Sequence, residues 1–209
     1  MSCTTIKKSL SMQTYQEHPD EELMARLGQG NKGAFDELYR RYKDKLFYYF
    51  YRMLAQDREK AEDFLQDLFM RIIEKPGYFD TNRSFRPWVY SVAHNMVKNE
   101  YKKMAVRQVI DRNADASQVK MNGHDPLEAT NTSRFKERLY SCLNEMDEDR
   151  KTAFLLKYHE GFSLEEIAAI LDIKVGTVKS RLYYVKAELA EKLKDYDPRN
   201  GKNINNHSN

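Results

Sequence analysis

Lys174, Gly176, Thr177, Lys179, Ser180, Arg181 and Tyr184 crowd into one short segment, and none of them needs a bond-making step to be useful. Cationic groups, hydroxyls and a glycine amide are hydrogen-bond donors; at the start of a helix they can hold phosphates and reach base edges in a major groove. A second set, His94, Asn95, Lys98, Asn99, Tyr101 and Lys102, mixes aromatic, amide and cationic groups at helical spacing, with Lys103 following. That mixture suits a separated nucleic-acid strand, whose phosphates attract cations and whose unpaired bases stack and accept hydrogen bonds. A third segment is acidic: Asp57, Glu59, Glu62, Asp63 and Asp67 outnumber Arg58 and Lys60. Such a face fits a basic partner, with Phe69 as a desolvated anchor.

Covalent chemistry has no comparable support. His18, His94, His124, His159 and His207 are scattered, and neither a metalloprotease H-E-x-x-H pair nor a phosphate-binding G-x-x-x-x-G-K-[ST] loop occurs. Cys3 and Cys142 are the two cysteines; without C-x-x-C companions they indicate neither a disulfide framework nor a zinc knuckle. Cys142 falls on an apolar helical stripe and reads as a core thiol. The expectation is a binding protein, not an enzyme, with no catalytic residue, no metal and no cofactor.

The elements that must carry these groups follow from periodicity. The chain has 209 residues, 41% hydrophobic and 32% charged, which favours two small domains over a single large core. Its formal charge is only +3, so any basic surface comes from segregation along the chain. The longest apolar run, Leu46 to Tyr51, is far short of the ~20 residues that span a membrane. A cytoplasmic setting is expected.

From Asp20 onward the apolar residues recur at three and four, and the fold class is all-α. A first helix covers Asp20 to Leu27 and stops at Gly28; a second runs from Asn31 towards Leu54 with Phe35, Leu38, Tyr42, Leu46, Tyr49 and Met53 on one side. A third starts near Asp57, turns Ala61, Phe64, Leu65, Leu68, Ile72 and Ile73 inward and ends at Pro76 and Gly77. After a loop, Tyr78 to Arg83, Ser84 can cap a fourth helix with the stripe Phe85, Trp88, Val92 and Met96, continuing to about Lys103. Trp88 is assigned to packing. The stretch from 104 to 130 is polar and broken, a flexible linker between residues 19–103 and a second bundle over 131–196. Residues 1–18 and 197–209 are expected to be disordered.

The second bundle holds the sharpest local signal. Ser163 and Glu166 have capping-box spacing, with Phe162 and Ile167 placed for a hydrophobic staple. Asp172, Ile173 and Lys174 then make a short connection to another helix, from Gly176 onward, with Val178, Leu182, Val185, Leu189 and Leu193 inward. Ala168 and Ala169 are small enough for a close crossing. This is a helix-turn-helix whose second helix begins basic.

Four segments together resemble a known family. Phe162 to Ala168 (FSLEEIA) and Val175 to Leu182 (VGTVKSRL) are similar to region four of bacterial RNA polymerase sigma factors of the extracytoplasmic-function group. Ala61 to Phe69 (AEDFLQDLF) resembles the region-two helix that docks on the polymerase, and Phe85 to Asn95 (FRPWVYSVAHN) the helix that opens the promoter. The resemblance spans 20–103 and 130–195, departing at Asp172, where the family's turn often has Gly, and at Val175 and Pro87.

On this resemblance Asp63, Gln66, Asp67 and Phe69 bind core RNA polymerase. Asn95, with the loop Tyr78 to Arg86, holds a base flipped from the minus-ten strand, beside His94, Lys98, Asn99, Tyr101 and Lys102. Lys174, Gly176, Thr177, Lys179, Ser180, Arg181 and Tyr184 read the minus-thirty-five duplex. Core polymerase, promoter DNA and an anti-sigma factor are the implied partners. The alternative reading is a helix-turn-helix transcription regulator that is not a polymerase subunit.

Overall fold

A computed structural model describes residues 15–111 and 131–196, with side chains over 15–107 and 134–196. Among the described residues there are eight α-helices: α1 (Asp20–Gly28), α2 (Lys32–Met53), α3 (Arg58–Glu74), α4 (Phe85–Asp111), α5 (Asn131–Glu145), α6 (Glu148–Tyr158), α7 (Leu164–Leu171) and α8 (Val175–Lys192). Single 3-10 turns, Pro76–Tyr78 and Lys194–Tyr196, follow α3 and α8. Of these helices none is long and apolar enough to cross a membrane.

Local chemistry sets the boundaries. Asn31, Asp57, Asp147 and Ser163 cap α2, α3, α6 and α7, each side chain accepting from a first-turn amide. At α4 the Phe85 amide donates instead to the Glu21 carboxylate of α1, 2.8 Å away, which fixes where this helix begins. It continues to Asp111, eight residues into the stretch expected as linker, and 112–130 lie outside the described residues. Tyr15 to His18, expected to be disordered, are tied down by Arg41, whose guanidinium donates to the carbonyls of Tyr15, Gln16 and His18. The remaining terminal segments, 1–14 and 197–209, also lie outside the described residues.

Helices α1 to α4 form the first bundle. Leu38, Tyr42, Leu46, Tyr49 and Met53 are buried as the periodicity predicts, and Phe50, on an adjoining face, is buried with them. On α3 the inward set is Ala61, Leu68, Phe69 and Ile72. Ile73 is exposed, contrary to expectation, because one more residue rotates it about 100° away from Ile72. Trp88 packs against Phe79 and Phe85 at 5.0 and 5.6 Å between centroids.

In the second bundle the capping box is complete: the Glu166 amide donates to Ser163 Oγ at 3.1 Å and the Ser163 amide to Glu166 Oε2 at 2.8 Å. Asp172 ends α7 in the left-handed region (φ 52°, ψ 51°), the conformation for which glycine is the usual choice. Helix α8 then starts at Val175 with Lys174 as its N-cap, one residue earlier than expected. Ala168 is buried but Ala169 faces solvent, so only the former eases the crossing.

The two bundles share one continuous core. Helix α4 explains why. Beyond the expected stripe it buries Val89, Tyr90, Ala93, His94 and Val97, and this wider apolar girth lets it touch α1 to α3 on one side and α6 and α7 on another. A helix apolar on more than one face needs more than one neighbour.

Candidate nucleic-acid interface

Helix α8 offers its outer face as the sequence suggests. Val178, Leu182, Val185 and Leu189 lock one side into the second bundle, leaving Lys174, Gly176, Thr177, Lys179, Ser180 and Tyr184 exposed. There is no acidic residue in the first turn, so the positive end of the helix dipole and the two lysines act together on an approaching phosphate. Tyr183 and Tyr184 stand out from the helix, 69% and 60% exposed, and supply apolar surface beside the donors. Arg181 differs: its guanidinium is held by Asp149 of α6 at 2.6 Å. Charge is absorbed further along, where Lys192 pairs with Glu145 and Glu188 at 2.8 and 2.9 Å. The basic character is therefore concentrated at the N-terminal half.

On α4 the candidate residues divide between two faces. Asn95, Lys98, Asn99 and Lys102 are exposed, and their spacing of three, four and seven puts them on one stripe. His94 is 2% exposed. Its Nδ1 lies 3.9 Å from Glu148 Oε1, and neither atom has a hydrogen-bond partner among the described residues. Burial, with the neighbouring Lys98 charge, pushes the imidazole down to about 4, so it is neutral near pH 7. Tyr101 is half-buried, its hydroxyl donating to the Met53 carbonyl at 2.6 Å.

On α3, Asp63, Gln66 and Asp67 share an exposed face, while Phe69 is 4% exposed and packs edge-on against Phe35 and Tyr39. The exposed apolar groups on the same helix are Met70, which periodicity did not single out, and Ile73, which it placed inward. Lys60 links α3 to α4 through Glu100 at 2.7 Å, fixing the acidic face relative to the basic stripe.

Sequence reasoning missed the seam between the bundles. Arg86 donates through Nη2 to the Glu160 carbonyl and lays its guanidinium 4.1 Å from the centre of the Phe162 ring. Tyr90 donates to the Glu160 carboxylate and meets Phe162 edge-on at 4.9 Å. Lys151, 3% exposed, donates to Met53 O at 3.2 Å and Asn144 Oδ1 at 2.7 Å. Its ammonium thereby caps the C-terminal end of α2, where carbonyls lack intrahelical donors. Arg52 donates to the Tyr140 hydroxyl at 3.1 Å. The available signal was Tyr90 and Val97, apolar residues off the expected stripe of α4.

Comparison with known proteins adds two family models: "Sigma-70 region 2" matches residues 38–107 and "Sigma-70, region 4" matches 136–189. The ECF RNA polymerase sigma factor SigW of Bacillus subtilis is 31% identical over 173 residues, covering 79% of this chain and 92% of that protein. The RNA polymerase sigma-H factor of Pseudomonas aeruginosa is 28% identical over 182 residues, covering 83% and 93%. Among solved structures, the sigma factor RpoE in complex with the anti-sigma factor NepR from Bartonella quintana matches with TM-score 0.63 and 25% identity. That match covers 77% of this chain and 96% of that one. CnrH, in complex with the cytosolic domain of CnrY, has the same fold at TM-score 0.63 and 24% identity, covering 85% and 98%.

Proposed function

The chain belongs to the sigma-70 family of RNA polymerase sigma factors, in its extracytoplasmic-function group, and on that premise we propose how its residues divide the work. As a sigma factor it binds core RNA polymerase and directs it to promoter DNA, without covalent chemistry of its own. A separate regulator that never joins the polymerase is not favoured.

The α8 face of Lys174, Gly176, Thr177, Lys179, Ser180 and Tyr184 reads the minus-thirty-five duplex, with Arg181 joining once it leaves Asp149. The α4 residues Asn95, Lys98, Asn99 and Lys102, with His94 and Tyr101 behind them, hold the melted minus-ten strand. Asp63, Gln66 and Asp67 meet the polymerase, and Phe69 keeps that face in place from below. The bundles are the functional units: 19–103 for polymerase and strand, 131–196 for duplex. This work takes place in the cytoplasm, and an anti-sigma factor is the partner expected to restrain it.

One observation carries the assignment: two basic faces of different chemistry, one at the start of α8 and one along a helix of mixed amides and lysines, stand exposed on separate bundles. Melting is then differential binding. Capture of an extruded base offsets the few kcal/mol of unpairing, so open promoter is favoured over closed. Asn95→Ala should weaken promoter opening, read by permanganate footprinting of the polymerase complex, while duplex binding stays nearly intact. Equal loss of both would overturn the division of labour.

A further inference from the structure

We propose that Glu21, on α1, is a positioning residue for promoter melting: its carboxylate fixes one foot of a loop arch at the start of α4, and that arch seats the extruded base together with Asn95. This rests on the strand-holding role of α4 given above. Residues 80–84 leave the first bundle between two buried rings, Phe79 and Phe85, 5% and 0% exposed, which meet edge-on at 5.4 Å between centroids. Between those feet every residue is exposed. The Asp80 carboxylate accepts from the Asn82 amide at 3.0 Å and from the Asn82 side chain at 2.9 Å, and the Arg83 amide donates to the Asp80 carbonyl at 2.9 Å. An arch closed at its base and bonded within itself is preorganised, so holding a base there demands little further ordering.

The two rings set how far apart the feet stand, and the foot at Phe85 has a second restraint. Ser84, expected as the cap of α4, is exposed, and the Phe85 amide donates to Glu21 Oε1 at 2.8 Å, 64 positions away in the chain. The opening amides of a helix have no intrahelical acceptor, and a carboxylate there also meets the positive end of the dipole. A bond from another helix therefore sets both where α4 begins and its height on α1. Glu21 is itself held in place, because its neighbour Asp20 receives Arg41 Nη1 at 2.6 Å and the Tyr42 hydroxyl. Tyr42 in turn stands edge-on to Phe85 at 5.2 Å. The start of α1, a ring of α2 and the first residue of α4 thus make one assembly. Asn95 lies ten residues further along α4, about 15 Å at the ordinary helical rise, so a rigid helix brings arch and amide to the base in a fixed relation. Loss of the Glu21 bond frees the foot, leaves Asn95 in its place on the helix and spoils that relation.

The test uses holoenzyme assembled from the full-length chain and core polymerase, on promoter duplexes selected from a randomised library by the wild-type holoenzyme. The lag before abortive product, followed against holoenzyme concentration, separates closed-complex binding from opening. Abasic substitution at each minus-ten position in turn then finds the base that is held, as the one position where wild-type holoenzyme loses opening rate sharply. Glu21→Ala should slow opening about five-fold, the loss of one cap expressed as a shift in the competent population. Closed-complex binding should stay unchanged, and the abasic effect should flatten at that position alone. Glu21→Gln, whose amide oxygen still accepts, should restore both; failure to restore them overturns the proposal. A variant that merely loosened the bundle would weaken binding and depress every position alike, and that outcome overturns it too. Should Glu21→Ala fail to fold by circular dichroism, Glu21→Asp, which keeps the charge and withdraws the oxygen by one methylene, carries the same comparison. If wild-type holoenzyme has no position sensitive to base removal, the strand-holding reading of α4 falls and the proposal with it. A wild-type effect that Glu21→Ala leaves untouched strikes the proposal alone.

Discussion

His94 is the residue on which chemistry and position bear most directly. The groups facing it are Glu148, Asp149 and Arg181 from the second bundle and Lys98 from its own helix. With its folded value at about 4 and an ordinary value of 6.5, the folded chain binds fewer protons than the unfolded chain between those limits. Linkage then fixes the sign: stability is undiminished by this group above 6.5 and falls as pH drops from there towards 4. An NMR titration of the imidazole should find it neutral down to about pH 4 in the folded chain and titrating near 6.5 once the chain is unfolded in urea. A wild-type curve centred at the ordinary 6.5 would show that His94 is not buried in solution. Lys179 belongs at the same scale. Exposed on the open face of α8, it should make a phosphate contact, so Lys179→Ala should weaken minus-thirty-five binding across sequences and reduce the salt slope by about 1.

At the scale of elements, the helix-turn-helix offers two stability tests. Ser163→Ala removes one half of the capping box and should cost about 1 kcal/mol, read as a fall in the urea midpoint with unchanged slope. Asp172→Gly should move the other way by roughly 0.5 to 1 kcal/mol, since the left-handed backbone at φ 52° carries a side-chain penalty that glycine lacks. A lower midpoint for the glycine variant would mean that the aspartate side chain holds the turn.

These elements were legible because their signals are local. Capping box, short turn and apolar repeat all lie within a few residues of one another, and α7 and α8 formed where those signals placed them. The candidate duplex face was legible for the same reason, as it is whatever remains once Val178, Leu182 and Val185 point inward. The strand face was half legible. His94 and Asn95 are neighbours in sequence, yet one is buried and the other open, and that difference is decided by Glu148, 54 positions away by number. No local pattern reports a contact of that range. The same holds for Phe69, whose place beneath the acidic face depends on Phe35 and Tyr39.

For the whole molecule, the matter is how two bundles with separate duties come to share a core. Buried Met53 contributes a carbonyl that receives Tyr101 from its own bundle and Lys151 from the other. Truncating Leu68, fully buried within the first bundle, to alanine should cost about 2 to 5 kcal/mol. Because the core is continuous, the loss should appear as one cooperative transition by calorimetry of the free chain. Two resolved transitions would show that the bundles melt independently.

Phe162 stands immediately before the capping residue of α7, in the duplex-reading motif, and its ring packs on Tyr90 of the neighbouring bundle. A substitution that retunes how α7 is seated will therefore also change how firmly the halves adhere. One buried ring thus ties two tasks together, and a change of its size or shape is felt by both.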